Sequence, residues 1–137
     1  MGSLNMNIGF TGSRNGLSDQ QKEKIHQILD ERAASHLHHG DCIGADFDFH
    51  QIGMELNHCI SIYPPKSAGL RSFTPPNGKG QLYKEKDFLV RNRDIVDSSE
   101  LLLACPETSE EVHRSGTWAT IRYARKKGKE LILIPKS

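Results

Sequence analysis

The feature that most constrains the fold is a continuous apolar run near the end of the chain, Leu101-Leu102-Leu103-Ala104. A strand that is apolar at every position needs cover on both faces, as the inner strands of a parallel sheet have when helices lie on either side. Four further segments, at residues 7–10, 37–40, 59–63 and 131–134, also have strand character. We therefore predict a five-stranded sheet.

Helical patterns separate these segments. Ser18 and Gln21 form a capping box, and apolar residues follow at helical spacing to about residue 34. A second helix is predicted through Leu56, a third over residues 83–96 and a fourth directly after Ser115. The expected core positions of the third helix are Leu82, Leu89, Ile95 and Val96.

The alternation of strands and helices predicts a single doubly wound α/β domain with a mainly parallel sheet and helices on both faces. If the strand order is 3-2-1-4-5, the order reverses between the first and the fourth strand, and ligands bind at that switch point. The domain is assigned to residues 6–137, because Met1-Gly2-Ser3-Leu4-Asn5 is typical of an expression remnant. Residues 64–80 are predicted to be a long loop that serves as a flap, an oligomer contact or a mobile surface segment.

Charge and cysteine content exclude several classes of function. The chain has 18 basic and 17 acidic residues, so no global charge favours nucleic acid. The three cysteines indicate neither a disulfide framework nor a zinc site, and the histidines at 36, 38 and 39 lack zinc-site spacing. We expect a cytoplasmic protein without a metal, a cofactor or a membrane span.

Two small-residue turns have the character of phosphate sites. Gly12-Ser13-Arg14 follows the first strand and precedes a helix, while Ser115-Gly116-Thr117 opens the fourth helix with a serine cap. A helix N-terminus offers free N–H groups and partial positive charge to an anion. In the 3-2-1-4-5 order the two turns face each other across one crevice, although an ordinary capped helix would give the same local pattern.

An ordered set of short motifs resembles a known superfamily. The set comprises Gly12-Ser13-Arg14, then residues 39–46 with His50, then Arg91-Asn92-Arg93, and finally Ser115-Gly116-Thr117 with Thr120. In this order the chain is similar to the SLOG superfamily of Rossmann-like domains, and within it to the DprA-like and YspA-like branch. This resemblance implies that a nucleotide or a nucleotide-derived phosphate ligand binds at the crevice.

The resemblance also implies roles for individual residues. Backbone groups of the two turns would hold phosphate, and Arg14 would add a charged contact. Asp46 would meet a ribose hydroxyl or pin the turn that contains Gly44, whereas Arg91 and Arg93 would add positive potential or pair with acids on their own helix. The ligand-binding set is Gly12, Ser13, Arg14, Gly44, Asp46, Arg91, Arg93, Ser115, Gly116 and Thr117.

One departure from the family bears on catalysis. The LOG phosphoribohydrolases carry a glutamate where this chain has Thr120, and cleavage of an N-glycosidic bond needs a carboxylate. Binding is therefore favoured over catalysis, and no catalytic residue is assigned. LOG-type hydrolysis of nucleoside monophosphates stays open as an alternative if Asp46, Glu107, Glu110 or Glu111 supplies the carboxylate.

A third function, binding of single-stranded nucleic acid in the DprA manner, depends on the loop and its flanks. Aromatic side chains can stack on bases while cations meet phosphates. The residues concerned are Lys66, Arg71, Phe73, Lys79 and Tyr83. A dimer is common among similar proteins, so a homodimer also stays open.

Overall fold

A computed structural model describes residues 6–32 and 34–136, and within them five strands form one sheet that four α-helices cover. The strands are β1 (Met6–Gly12), β2 (Ala34–His39), β3 (Cys59–Ile62), β4 (Leu101–Cys105) and β5 (Glu130–Leu133). The helices are α1 (Asp19–Glu31), α2 (Ala45–Glu55), α3 (Phe88–Asp97) and α4 (Gly116–Lys126), with a short 3-10 helix at Ala68–Leu70. The predicted α/β architecture is confirmed.

Every pair of neighbouring strands in the sheet is parallel, and the order is β3-β2-β1-β4-β5, as predicted. Strand β1 lies at the centre, where Ile8 pairs with Leu37 on one side and with Leu101 on the other. Gly12 pairs with Cys105, so the turn after β1 and the loop after β4 begin side by side. This is the switch point that the sequence predicted.

The apolar run in β4 contributes to the core on both faces of the sheet. Leu101 and Leu103 pack in the large cluster that includes residues of α1 and α2, whereas Leu102 packs with Val96 of α3. All four residues of the run are fully buried. Complete burial of one such leucine contributes about 1.5–3 kcal/mol, so β4 is a major source of stability.

The structure corrects two helix boundaries. Helix α1 ends at Glu31 rather than near residue 34, where β2 begins. Helix α3 begins at Phe88 rather than at Tyr83, and of its predicted core positions Leu82 and Leu89 are 53% and 57% exposed. The predictions of Ile95 and Val96 as core residues are confirmed.

The reason for the late start of α3 is that the preceding segment runs beside the outer edge of β3. The N–H of Ile62 donates to Gln81 O at 2.8 Å, and the N–H of Tyr83 donates to Ile62 O at 2.9 Å. Further back, Ile60 and Asn77 exchange two backbone bonds at 3.0 and 3.1 Å. Residues 74–87 therefore act as an edge cover, which protects β3 from pairing with another chain.

Asp41 anchors this edge cover from the turn after β2. It adopts a left-handed backbone with φ of 59°, and its buried carboxylate accepts from the N–H of Thr74 at 2.8 Å and from Nε of Arg71 at 2.8 Å. The free-energy cost of burying a carboxylate is offset when several donors bond to it. The second part of the predicted loop, residues 74–80, thus belongs to this anchored edge cover.

Strand β2 carries buried histidines that are held neutral. Nδ1 of His38 lies 3.0 Å from the hydroxyl of Tyr63, and its Nε2 lies 3.0 Å from Oδ1 of Asn7. Burial lowers the pKa of His38 to about 3, and burial followed by the neighbouring His50 lowers the pKa of His39 well below its ordinary value. Protonation of either ring is therefore disfavoured in the folded chain.

We predict that acid destabilises the protein through these histidines. In the unfolded chain a histidine has a pKa of about 6.5. The free energy of unfolding is unaffected by these histidines above that pH. It decreases as the pH falls toward the pKa of the folded state, by up to about 1.4 kcal/mol per pH unit for each histidine. Urea unfolding between about pH 7 and pH 4 should show a shallower loss for His38→Gln than for the natural chain. The variant His26→Gln on α1 is the control, and equal slopes for all three proteins would contradict the prediction.

Candidate functional site

The turn after β1 is fixed by the start of α2. The carbonyl of Ser13 accepts from the N–H of Ala45 at 2.9 Å. Gly44 caps α2 with φ of 93°, and a Cβ at this position would lie 2.2 Å from the carbonyl oxygen of Arg14. Gly44 therefore supports the first turn from behind and is absent from the cleft lining described below.

Helix α4 begins with the predicted serine cap. The hydroxyl of Ser115 accepts from the N–H of Trp118 at 3.2 Å. Within residues 6–32 and 34–136, the N–H groups of Gly116 and Thr117 have no acceptor. These two groups, at the positive end of the helix dipole, are available to an anion.

The two predicted turns line one cleft of about 490 Å³. Its walls include Gly12, Ser13, Arg14, Ser115, Gly116 and Thr117, and its other lining residues include Phe88, His113 and Arg114. The space that a Cβ at Gly116 would need is filled by the ring of Phe88, whose Cε1 atom would be 2.5 Å away. The missing side chain at Gly116 thus makes room for the Phe88 ring. It does not bring a ligand closer to the backbone.

The electrostatic character of the cleft is set by two exposed arginines. Among the described residues, neither Arg14 nor Arg114 forms an ion pair, whereas Arg122 further along α4 is paired with Glu111 at 2.6 Å. An unpaired guanidinium beside free N–H groups favours an anionic ligand. The cleft is therefore positive although the chain as a whole has a net charge of only +1.

Asp46 and Arg91 lie beneath the cleft and interact with each other. Oδ2 of Asp46 accepts from the N–H of Cys42 at 3.1 Å and lies 4.0 Å from Nη1 of Arg91. Burial raises the pKa of Asp46 to about 6, and the attraction of Arg91 offsets only part of this effect. Of the two roles predicted for Asp46, the structure shows the contact that pins the turn containing Gly44.

The two predicted arginines of α3 occupy different places. Arg91 is buried, and its Nη1 donates to Gly40 O at 2.7 Å while its Nη2 donates to Cys42 Sγ at 3.1 Å. Arg93 is exposed and lies over the ring of Tyr123 at 5.3 Å, in the groove between α3 and α4. The structure does not bring Arg93 to the cleft, and it commits Arg91 to the fold.

Thr120 lies one turn into α4, where the alternative of LOG-type hydrolysis would call for a glutamate. It is 3% exposed, and its hydroxyl donates to Gly116 O at 3.0 Å. Glu107 instead reaches the first turn, where its carboxylate accepts from Ser13 Oγ at 2.6 Å and lies 2.9 Å from Lys136 Nζ. The Ser13 hydrogen bond, followed by those of Lys136 and Asn15, lowers the pKa of Glu107 to about 2.

The residues predicted for nucleic-acid stacking belong to the edge cover and the segment before it. Arg71 is paired with Asp41 and lies over the Phe73 ring at 4.4 Å, and the Tyr83 ring stacks on Tyr63 at 4.7 Å. The lining of the cleft includes none of the predicted loop residues, which are Lys66, Arg71, Phe73, Lys79 and Tyr83.

Four residues of the site were missed at the level of sequence. Arg114 and His113 directly precede the serine cap, so their closeness to the predicted anion site was a usable signal. Phe88 lines the cleft, but it fell inside a longer predicted helix. Asn92 lines a smaller pocket under the cleft, and no feature of the sequence separated it from its arginine neighbours.

Comparisons with known proteins identify the fold. No protein-family model matches the sequence, and no curated protein matches it significantly. Among solved structures, DNA processing protein A (DprA) from Streptococcus pneumoniae superposes with a TM-score of 0.68 and 18% identity over 97% of this chain. A structural-genomics protein named TM1055 gives a TM-score of 0.65 and 14% identity over 92% of this chain and 72% of its own.

These similarities show a Rossmann-like fold. At such identities they concern the fold alone. The chain spans 51% of the DprA chain that it matches. A search of the described helices finds none that is long and apolar enough to cross a bilayer.

Substitution of Gly44 should disrupt the cleft. In Gly44→Ala the new Cβ would strain a left-handed backbone and collide with the carbonyl of Arg14, at a cost of about 1–3 kcal/mol. We expect a lower melting temperature and altered amide NMR signals for the Gly12–Arg14 turn. Gly69→Ala is the matched control, because its Cβ would meet no atom within 4 Å. Equal melting temperatures for the two variants would refute this account of Gly44.

Proposed function

We propose that the protein binds the phosphate of a nucleotide or nucleotide-derived ligand in the cleft between the Gly12–Arg14 turn and the start of α4. The observation that carries this proposal is the convergence of both turns on one cleft of about 490 Å³. A phosphate there would accept from the N–H groups of Gly116 and Thr117. The volume lies within the range of about 300–1,000 Å³ that is typical of small-molecule sites.

The arginines give this site its preference for an anion. Arg14 belongs to the first turn and Arg114 directly precedes the helix cap, and both line the cleft that would hold the phosphate. Charge-assisted bonds to phosphate contribute about 1.5–3 kcal/mol each when they form well. Loss of one such contact corresponds to a decrease in affinity of about tenfold or more.

Calorimetric titration with adenosine monophosphate and with adenosine tests the proposal. We expect the monophosphate to bind more tightly than the nucleoside, because only the former carries the phosphate. Arg14→Ala should weaken binding of the monophosphate by about tenfold and leave the binding of adenosine unchanged. Lys24→Ala, which removes the same charge from the exposed surface of α1, is the control.

Two results would count against the proposal. One is equal affinity of the natural chain for adenosine and its monophosphate. The other is the same loss of affinity in Lys24→Ala as in Arg14→Ala, since this would assign the effect to net charge. Guanosine, cytidine and uridine monophosphates extend the titration to other bases, so that a failure with adenine alone does not decide the outcome.

One observation favours hydrolysis of nucleoside monophosphates as a second candidate function. Asp46 lines the pocket beneath the cleft, and its pKa of about 6 allows it to exchange a proton near neutral pH. In this reaction water would attack the anomeric carbon, the N-glycosidic bond would break and the base would leave with a proton. Asp46 is the candidate for proton transfer, because Thr120 has no carboxylate.

Chromatography of the four ribonucleoside monophosphates after incubation with the protein tests this activity. If Asp46 transfers the proton, free base and ribose 5-phosphate appear in equal amounts. Asp46→Asn should then lower the rate by about a hundredfold or more, the usual contribution of a positioned acid or base. The rate of the natural chain should change near pH 6, where Asp46 titrates. Absence of free base at every pH would exclude this candidate and leave the binding proposal intact.

A further inference from the structure

Asn92 is a buried polar side chain without a hydrogen-bond partner. It is 7% exposed, and no described residue donates to or accepts from its amide. In the sequence of α3 it stands between two arginines that both have other contacts, Arg91 with the turn after β2 and Arg93 with Tyr123. The fully buried side-chain atoms without a partner among the described residues are Arg91 Nε and Trp118 Nε1, so the Asn92 amide is open to the space beside it and free to bond to a ligand group.

The amide lines a pocket of about 40 Å³ that adjoins the cleft. The pocket shares Gly12, Arg14, Phe88 and Thr117 with the larger space. Asp46, which is 7% exposed, and Arg91 also line it. If the phosphate of a ligand lies in the cleft, the part of the ligand attached to that phosphate would therefore be close to these polar groups of the protein.

The size and the chemistry of the pocket restrict what it can hold. A volume near 40 Å³ admits a group about as large as one water molecule, so neither a phosphate nor a base fits. The Asp46 carboxylate repels a second anion but accepts from an O–H. An amide both donates and accepts, as a hydroxyl does.

We propose that Asn92, together with Asp46, binds a hydroxyl group of the sugar whose phosphate lies in the cleft. The inference rests on the proposed function and adds a specificity-determining residue to it. The site then selects ribose over a deoxyribose, because a sugar without the hydroxyl covers the amide and displaces its water without bonding to it.

Titrations with adenosine monophosphate and with its 2′-deoxy and 3′-deoxy analogues test the inference. The natural chain should bind the ribonucleotide about three- to tenfold more tightly than one of the two analogues, as expected for a single neutral hydrogen bond. Asn92→Leu, which keeps the approximate size without polar atoms, should bind all three nucleotides with equal affinity. Its melting temperature should stay close to that of the natural chain, because the lost amide bonds to no described residue.

Asn77→Leu is the matched control. Its Nδ2 donates to His58 O at 2.8 Å, so this variant should melt at a lower temperature and keep the sugar preference. Equal affinity of the natural chain for all three nucleotides, with tight and phosphate-dependent binding, would overturn the inference alone. An unchanged sugar preference in Asn92→Leu would do the same. Absence of binding to every phosphate ligand would overturn the proposed function and, with it, this inference.

Discussion

The buried guanidinium of Arg91 holds the carboxyl edge of the sheet together. It joins α3 to the turn after β2 through Gly40 O and Cys42 Sγ, and it lies over the ring of Phe88 at 4.6 Å. Phe88 in turn fills the space beside Gly116 at the start of α4. Since a buried cation requires such compensation, three elements around the cleft are fixed relative to one another by one side chain.

Most of the fold could be predicted because burial on both faces leaves a clear pattern in the sequence. The run in β4 and the capping box of α1 are local signals, and the alternation of elements then allows few topologies. The wrong start of α3 has a physical cause as well. Tyr83 bonds through its backbone to β3, a contact that no side-chain pattern encodes, and Leu82 and Leu89 face solvent although their spacing suits a helix.

The candidate site was predictable to the extent that it consists of turns at strand ends. Strand, glycine turn and capped helix are sequence features, and the strand order brings the two turns to one cleft. The different surroundings of Arg91, Asn92 and Arg93 could not be predicted in this way. Three neighbouring polar residues on one helix point toward different surroundings, and only tertiary contacts decide which of them has a partner.

The pairing of polar groups differs between the support of the site and its lining. Much of the support is paired: Asp41 accepts from Thr74 and Arg71, and Glu107 accepts from Ser13, while Nε of Arg91 is buried without a partner among the described residues. Around the cleft, by contrast, Arg14, Arg114 and Asn92 lack partners of their own among the described residues. A folded chain gains no stability from unpaired groups gathered in one place, whereas a bound ligand does. Rigid support beneath polar groups that are free to bond to a ligand is the arrangement that a preorganised binding site requires.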